Sequence, residues 1–389
     1  MFDKSESLFP VRRNHVDLAH CSVGPMYGPA AKAAQEFIRE HSERGMLLRE
    51  RYGDVLRTTR EKTAKLLETA PENVAFVSNT AEGTNLIANG YPFEPGDQVI
   101  GYEGEFPSDY FPWVLQGRRG VEYVLLSDKA PRDADLADTG ILNRFTGWSM
   151  EELEEKTTER TRVIALSHVQ FVSGYAADLE RLGDFCRERG IDLVVDAAQS
   201  LGVLPVQPER YGIAAITGAA WKWMLASRGL GLFYTTPAFR EKLSDTMAGD
   251  AMMTHRLDYL NRTWEPFPSA RRYEYSTLPW EHLVGLETVL DEVFLRYGMQ
   301  AIAREVFRLQ DVMLDALDPT LFAPLRFPDR HRSGILAMRP RSDPGVIVKT
   351  LRAQGVVATT QGGYVRLAPH FYLTDDDVVK AAEALNRVG

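Results

Sequence analysis

Cysteine is scarce in this chain: Cys21 and Cys186 are the only two among 389 residues. Thiols so far apart form no metal-ligand or redox spacing, and they fit a reducing compartment without structural disulfides. Long apolar runs are missing as well. No stretch approaches the roughly 18 apolar residues that a membrane span needs, and Met1-Phe2-Asp3-Lys4-Ser5-Glu6 has no apolar signal core. A cytoplasmic protein is expected. No run of lysine and arginine stands out and the net charge is −9, so nucleic acid is not an expected partner. A Gly-x-Gly-x-x-Gly turn after the first strand, the mark of a dinucleotide site, is not found. Internal repeats and low-complexity linkers are also absent.

What the chain has is alternation. Short apolar runs at Val74–Val77, Gln98–Gly101, Val121–Leu126, Val163–Leu166 and Ile191–Val195 read as strands. Between them lie stretches of helical spacing, from about Glu82 to Asn89 and from Leu179 to Arg189, the latter closed by Gly190. Strands alternating with helices predict an α/β protein: a mostly parallel central sheet covered on both faces, three layers in all. Glu281 to Leu309 reads as a long helical stretch leading to a smaller C-terminal α/β domain, with a last amphipathic helix from Asp375. The expected division is an N-terminal segment over 1–20, a large domain over 21–290 and a small one over 291–389.

Two residues stand out chemically. Asp196 ends the strand Ile191–Val195, and Lys222 sits between Trp221 and Trp223 after the apolar run Ala214–Gly218. A lysine buried among tryptophans loses stability as the ammonium, which frees an amine for Schiff-base chemistry. A carboxylate at a strand's C-terminal end is placed to hold a cationic ring nitrogen.

This Asp…Lys pair resembles the core of the fold-type-I pyridoxal 5′-phosphate (PLP) enzymes of the class V aminotransferase group. That group includes cysteine desulfurases, isopenicillin N epimerase and kynureninase. Other segments follow in the family's order. Ser78-Asn79-Thr80-Ala81-Glu82-Gly83 lies between a strand and a helix. On local sequence alone it reads equally as a plain N-cap; the resemblance makes Thr80, Ala81 and Glu82 the phosphate turn. Glu105-Phe106-Pro107-Ser108-Asp109 resembles the segment carrying the side chain stacked on the cofactor ring, here Phe106. Ser167-His168-Val169-Gln170-Phe171 follows a strand and implies a cofactor contact from His168. Gln199, three residues after Asp196, resembles the glutamine that binds the ring hydroxyl O3′. Relatives read Ser-x-His-Lys where this chain has Ala219-Ala220-Trp221-Lys222, and Thr217, or Ser227-Arg228 beyond the lysine, is a candidate replacement donor to the phosphate.

Arg271-Arg272-Tyr273-Glu274-Tyr275-Ser276-Thr277 resembles the segment whose threonine reaches the phosphate of a second subunit, so Thr277 implies a homodimer with shared sites. Tyr364-Val365-Arg366-Leu367-Ala368-Pro369 resembles the segment whose arginine binds the substrate α-carboxylate, here Arg366. The resemblance thus implies a PLP enzyme acting on an amino acid through an aldimine and a Cα carbanion. Lys222 and Asp196 would be catalytic, the reaction transamination or C–S/C–C β-lysis. The alternatives are an epimerase or racemase of the same family, or an inactive PLP-binding regulator. Val356–Gly363, where a desulfurase carries its cysteine, has none. Cys21 and Cys186 are remote in sequence, so persulfide transfer is not expected.

Overall fold

The computed structural model describes residues 2–129, 135–136 and 146–389. Seven strands form the central sheet: β1 (Val74–Val77), β2 (Gln98–Tyr102), β3 (Glu122–Leu126), β4 (Thr161–Ser167), β5 (Asp192–Asp196), β6 (Ala215–Ala219) and β7 (Gly231–Thr235). Their spatial order is β1-β7-β6-β5-β4-β2-β3. All neighbours are parallel except β7, which runs antiparallel to β6 and β1. Alternate residues of one strand enter different cores. Val163 and Ala165 of β4 belong to one buried cluster, Ile164 and Leu166 to another. Near-continuous apolar strands of this kind need cover on both faces, because side chains alternate with period two. The α/β, mostly parallel architecture expected from the sequence is therefore present.

Helices α1 (Gly28–Arg44), α2 (Val55–Leu67), α3 (Thr80–Gly90), α4 (Pro107–Val114), α5 (Leu179–Arg189) and α6 (Trp280–Val289) surround the sheet. α5 closes on Gly190 at φ 65°, a left-handed position that glycine takes without a Cβ penalty. The long helical stretch expected over Glu281–Leu309 is interrupted. A π turn follows α6 at Leu290–Phe294, and Gly298 at φ 80° breaks the chain before α7 (Met299–Ala316).

An antiparallel sheet follows: β8 (Phe322–Arg326), β9 (Leu336–Pro340), β10 (Thr359–Gln361) and β11 (Tyr364–Leu367), with α8 (Pro344–Ala353) and α9 (Asp375–Val388). Its order is β10-β11-β9-β8, and Asp135–Leu136 pairs with β8. Thr374 caps α9 reciprocally with Asp377, which fixes where that helix starts. The N-terminal segment is sewn to this C-terminal part. Val16–Asp17 pairs in parallel with Val356–Val357, and Ala19 bridges Ala368. Among the described residues no helix is long and apolar enough to cross a membrane.

One buried ion pair ties α2 to the segment that follows the sheet. Arg60 Nη2 donates to both oxygens of Glu274 at 2.8 and 2.6 Å, Phe76 N–H donates to Glu274 at 3.1 Å, and Arg60 Nε donates to Val74 O. Both side chains are at most 7% exposed. Breaking such a pair leaves one buried charge uncompensated, whereas replacing both partners with apolar groups does not. Glu274→Ala should therefore cost about 3–5 kcal/mol, and Arg60→Met/Glu274→Leu together should cost less than the single change. Urea unfolding of the three proteins checks the order; a double variant as unstable as Glu274→Ala contradicts it.

Candidate active site

The parallel strands end on a common edge, and the site is built there. β5 delivers Asp196 and the turn after it Gln199; β6 delivers Ala219 and, three residues on, Lys222; β4 delivers Ser167. The start of α3 and Phe106 before α4 close one side. Arg366 of β11 and the 19–24 segment close the other. These walls enclose a cavity of about 380 Å³ whose lining includes Lys222, Asp196, Phe106, Thr80, Arg366 and Cys21.

Lys222 Nζ lies 5.5 Å from the centre of the Phe106 ring. Burial pulls the lysine below its ordinary range, and the Asp196 carboxylate opposes that pull. Asp196 is buried, which raises its carboxyl; the Ala198 N–H, donating at 2.7 Å, and Lys222 hold it down. The lysine backbone is fixed by close approach of the N-terminal segment: Gly24 N–H donates to Trp221 O at 3.0 Å, and a Cβ at Gly24 would run into the Lys222 carbonyl oxygen. Gln199 braces the same wall. Its Nε2 donates to Cys21 O at 2.8 Å, and its Oε1 accepts from Trp223 Nε1 at 2.9 Å.

At the start of α3, Asn79 Oδ1 accepts from Glu82 N–H at 2.9 Å. The amides of Thr80 and Ala81 come earlier in the turn and have no intrahelical acceptor, so they remain available to an anion at the positive end of the helix. Gly83 lets this helix sit on the sheet: a Cβ there would lie 2.7 Å from Thr217 Cγ2. Opposite, Arg366 is 6% exposed. Its Nη1 donates to Phe171 O, while its buried Nε has no partner. A guanidinium with an open donor in a cavity wall is suited to a carboxylate.

Four expected residues lie off this wall. Ser167 and Val169 line the cavity and His168 between them does not, as strand alternation requires. The His168 ring is buried, its Nδ1 lacks a partner, and burial depresses it to about 4. His168 thus stands beside the cavity lining and is not part of it. Thr217 stands behind α3, with its hydroxyl 3.5 Å from that of Thr84. Glu82 is spent on the turn itself, accepting from Ser78 N–H at 2.6 Å and Tyr275 O–H at 2.8 Å. Thr277 is exposed on the surface of this chain.

The structure also adds residues that were not singled out. Cys21, set aside for its distance along the sequence, lines the cavity with its Sγ 3.3 Å from Thr359 Oγ1. Ser108 lines it too, one residue into the first turn of α4. Behind the wall two further carboxyls are buried, Glu105 and Asp109.

Residues 31–366 match the aminotransferase class-V family. The chain belongs to that family. It is a PLP-dependent enzyme, a transaminase or lyase acting on an amino acid. A probable cysteine desulfurase of Methanothermobacter thermautotrophicus is 24% identical across 97% of this chain and 96% of the relative. Among solved structures, the apo cysteine desulfurase of Thermococcus onnurineus NA1 superposes with a TM-score of 0.85 at 18% identity, covering 100% of this chain and 98% of that one. The cystine C-S lyase C-DES, in complex with its product cysteine persulfide, superposes at 0.87 and 18% identity over 98% of this chain and 100% of that one. At such identity the structural likeness speaks for the fold alone.

The donor set fits PLP. Asp196 suits a ring N–H, the free amides of Thr80 and Ala81 suit a phosphate, and Lys222 suits the aldehyde carbon. Gly24 tests the wall directly. Gly24→Ala should displace the Lys222 backbone and weaken cofactor binding about tenfold, since overpacking costs about 1–3 kcal/mol. Titration of the apoprotein with PLP, followed by the visible band, measures it; unchanged affinity would show that the contact yields freely.

Proposed function

We propose that this class V enzyme works through Lys222, Asp196 and Arg366, and the observation that carries this is their meeting in one cavity: a desolvated amine, a buried carboxylate and a guanidinium with an open donor. When bound, PLP supplies an electron sink for a carbanion at the substrate Cα. The chain's own residues do the rest. Asp196 would accept from the ring N–H and keep that nitrogen protonated. Phe106 would offer its face to the ring, and Thr80 and Ala81 would donate backbone N–H groups to the phosphate. Gln199 has one N–H left after its bond to Cys21 and would give it to the ring hydroxyl. Arg366 grips the α-carboxylate in a bidentate fork, which fixes Cα beside Lys222. Lys222 would hold the cofactor aldehyde and, as an amine whose ammonium form burial disfavours, would take and return the proton at the substrate Cα.

Borohydride reduction followed by peptide mapping should place the pyridoxyl label on Lys222. Label on another lysine removes that assignment.

We further propose a cytoplasmic homodimer. Cys21 and Cys186 are both free, in keeping with a reducing compartment. The phosphate turn is short of side-chain donors, with Ala81 and Ala219 both on the cavity wall. Thr277 is exposed, and large apolar side chains nearby in sequence are too: Leu257, Leu260 and Trp264. Exposed apolar groups in such a cluster mark a surface made for a partner. A second copy would cover them and bring its own Thr277 to this phosphate. Thr277→Val should then weaken PLP binding, and dilution should release cofactor as the dimer parts. Sedimentation and visible absorbance recorded together test this; a monomer that keeps its PLP overturns it.

A further inference from the structure

Glu105 is fully buried directly before Phe106, and no part of the proposed chemistry uses it. Its carboxylate gathers three donors from the facing strand end. Ser167 N–H donates at 2.9 Å, the Ser167 hydroxyl also donates, and Gln170 Nε2 donates at 2.8 Å. The clamped stretch continues into Phe171, whose ring meets Phe106 edge-on at 5.2 Å and whose carbonyl accepts from Arg366 Nη1. One carboxylate therefore connects the ring platform to the residue that sets the reach of the arginine. We propose that Glu105 is a positioning residue for substrate binding: it holds the 167–171 wall in place, and through the Phe171 carbonyl it orients Arg366 toward the substrate carboxylate. This rests on the reading of Arg366 as the carboxylate site.

The clamp depends on charge. Ionised, Glu105 accepts from all three donors through charge-assisted bonds; protonated on Oε2, it still accepts the Ser167 and Gln170 N–H groups on Oε1 and gives its proton to a turned Ser167 hydroxyl, so protonation leaves only the weaker, neutral bonds. Burial pushes the group up to about 7, the Ser167 and Gln170 donors hold it down, and Asp196 raises it. The titratable groups facing it are Asp196 on β5, Asp109 on α4, Tyr102 on β2 and Tyr123 on β3. Asp109 is 1% exposed; burial raises it well above the carboxylate range, with Trp113 and Thr84 opposing. Ionisation of Glu105 therefore tightens the clamp as the pH rises, and protonation loosens it.

Glycine is the probe, because it carries the amine and carboxylate and nothing else. The PLP-loaded protein is titrated with glycine, and the change in the visible band gives an apparent Kd at pH 6 and pH 8.5. Glu105→Gln should bind glycine about tenfold more weakly at pH 8.5, the effect of one or two lost charge-assisted hydrogen bonds. Towards pH 6, as the wild-type carboxylate gains its proton, the ratio of the two constants should fall towards one. A pH-independent ratio would mark a merely structural residue and overturn the proposal; so would equal affinities at pH 8.5. Gln170→Met keeps the charge and removes one donor, and should weaken glycine about threefold at pH 8.5. If Glu105→Gln fails to load cofactor, this second variant decides, and unchanged affinity counts against the clamp. If the wild type gives no spectral response to glycine, the reading of the site as an amino-acid site fails, and this inference with it.

Discussion

Keeping ionisable side chains dry at the C-terminal edge of a parallel sheet is the constraint on which this molecule depends. Asp196, Glu105 and Arg366 are buried, and Lys222 is half-buried on the cavity wall. Each would be costly alone, because a buried charge without partners is disfavoured by several kcal/mol. The fold answers by giving each a limited partner set. Asp196 has the Ala198 amide and Lys222, Glu105 has Ser167 and Gln170, and Arg366 has the Phe171 carbonyl. Asp196, Lys222 and Arg366 all line the cavity. The reactivity of the site is the part of that electrostatic demand which the protein leaves to cofactor and substrate.

Sheet topology makes the convergence possible. Parallel strands β4, β5 and β6 point their C-terminal ends the same way, so the residues following them share one rim. β7 reverses direction beside β6, and its start at Gly231 lies against Asn79 and the Gly218 carbonyl, where a side chain would not fit. That closeness lets α3 bring its free amides down to the rim. The N-terminal segment completes the structure by crossing from its own two-stranded pairing with Val356–Val357, through the Ala19–Ala368 bridge at the end of β11, to the backbone beside Lys222 at Gly24. It joins the two sheets and forms a wall of the cavity at once.

The strand–helix alternation, the place of the parallel sheet, α5 with its Gly190 cap, and the last helix were legible from periodicity and capping chemistry alone. So were Lys222 and Asp196 as unusual residues, because a lysine between tryptophans and a carboxylate closing an apolar strand both contradict a surface reading. Arg366 and the phosphate turn were legible only through the order in which the family's segments recur. Their neighbours in sequence carry no mark of what they face.

The sequence by itself determined the class of fold and the chemical identity of the site, since burial patterns and residue types are local properties. Tertiary structure alone decided which of those residues share a space. It put Cys21 on the cavity wall beside residues two hundred and more positions away, turned His168 off that wall by one step of strand alternation, and spent Glu82 on its own turn. It also made Glu105 a clamp, because its three donors come from a strand some sixty residues on. Contacts of that range depend on the register of parallel strands, which is set by the packing of both sheet faces together and by no single segment.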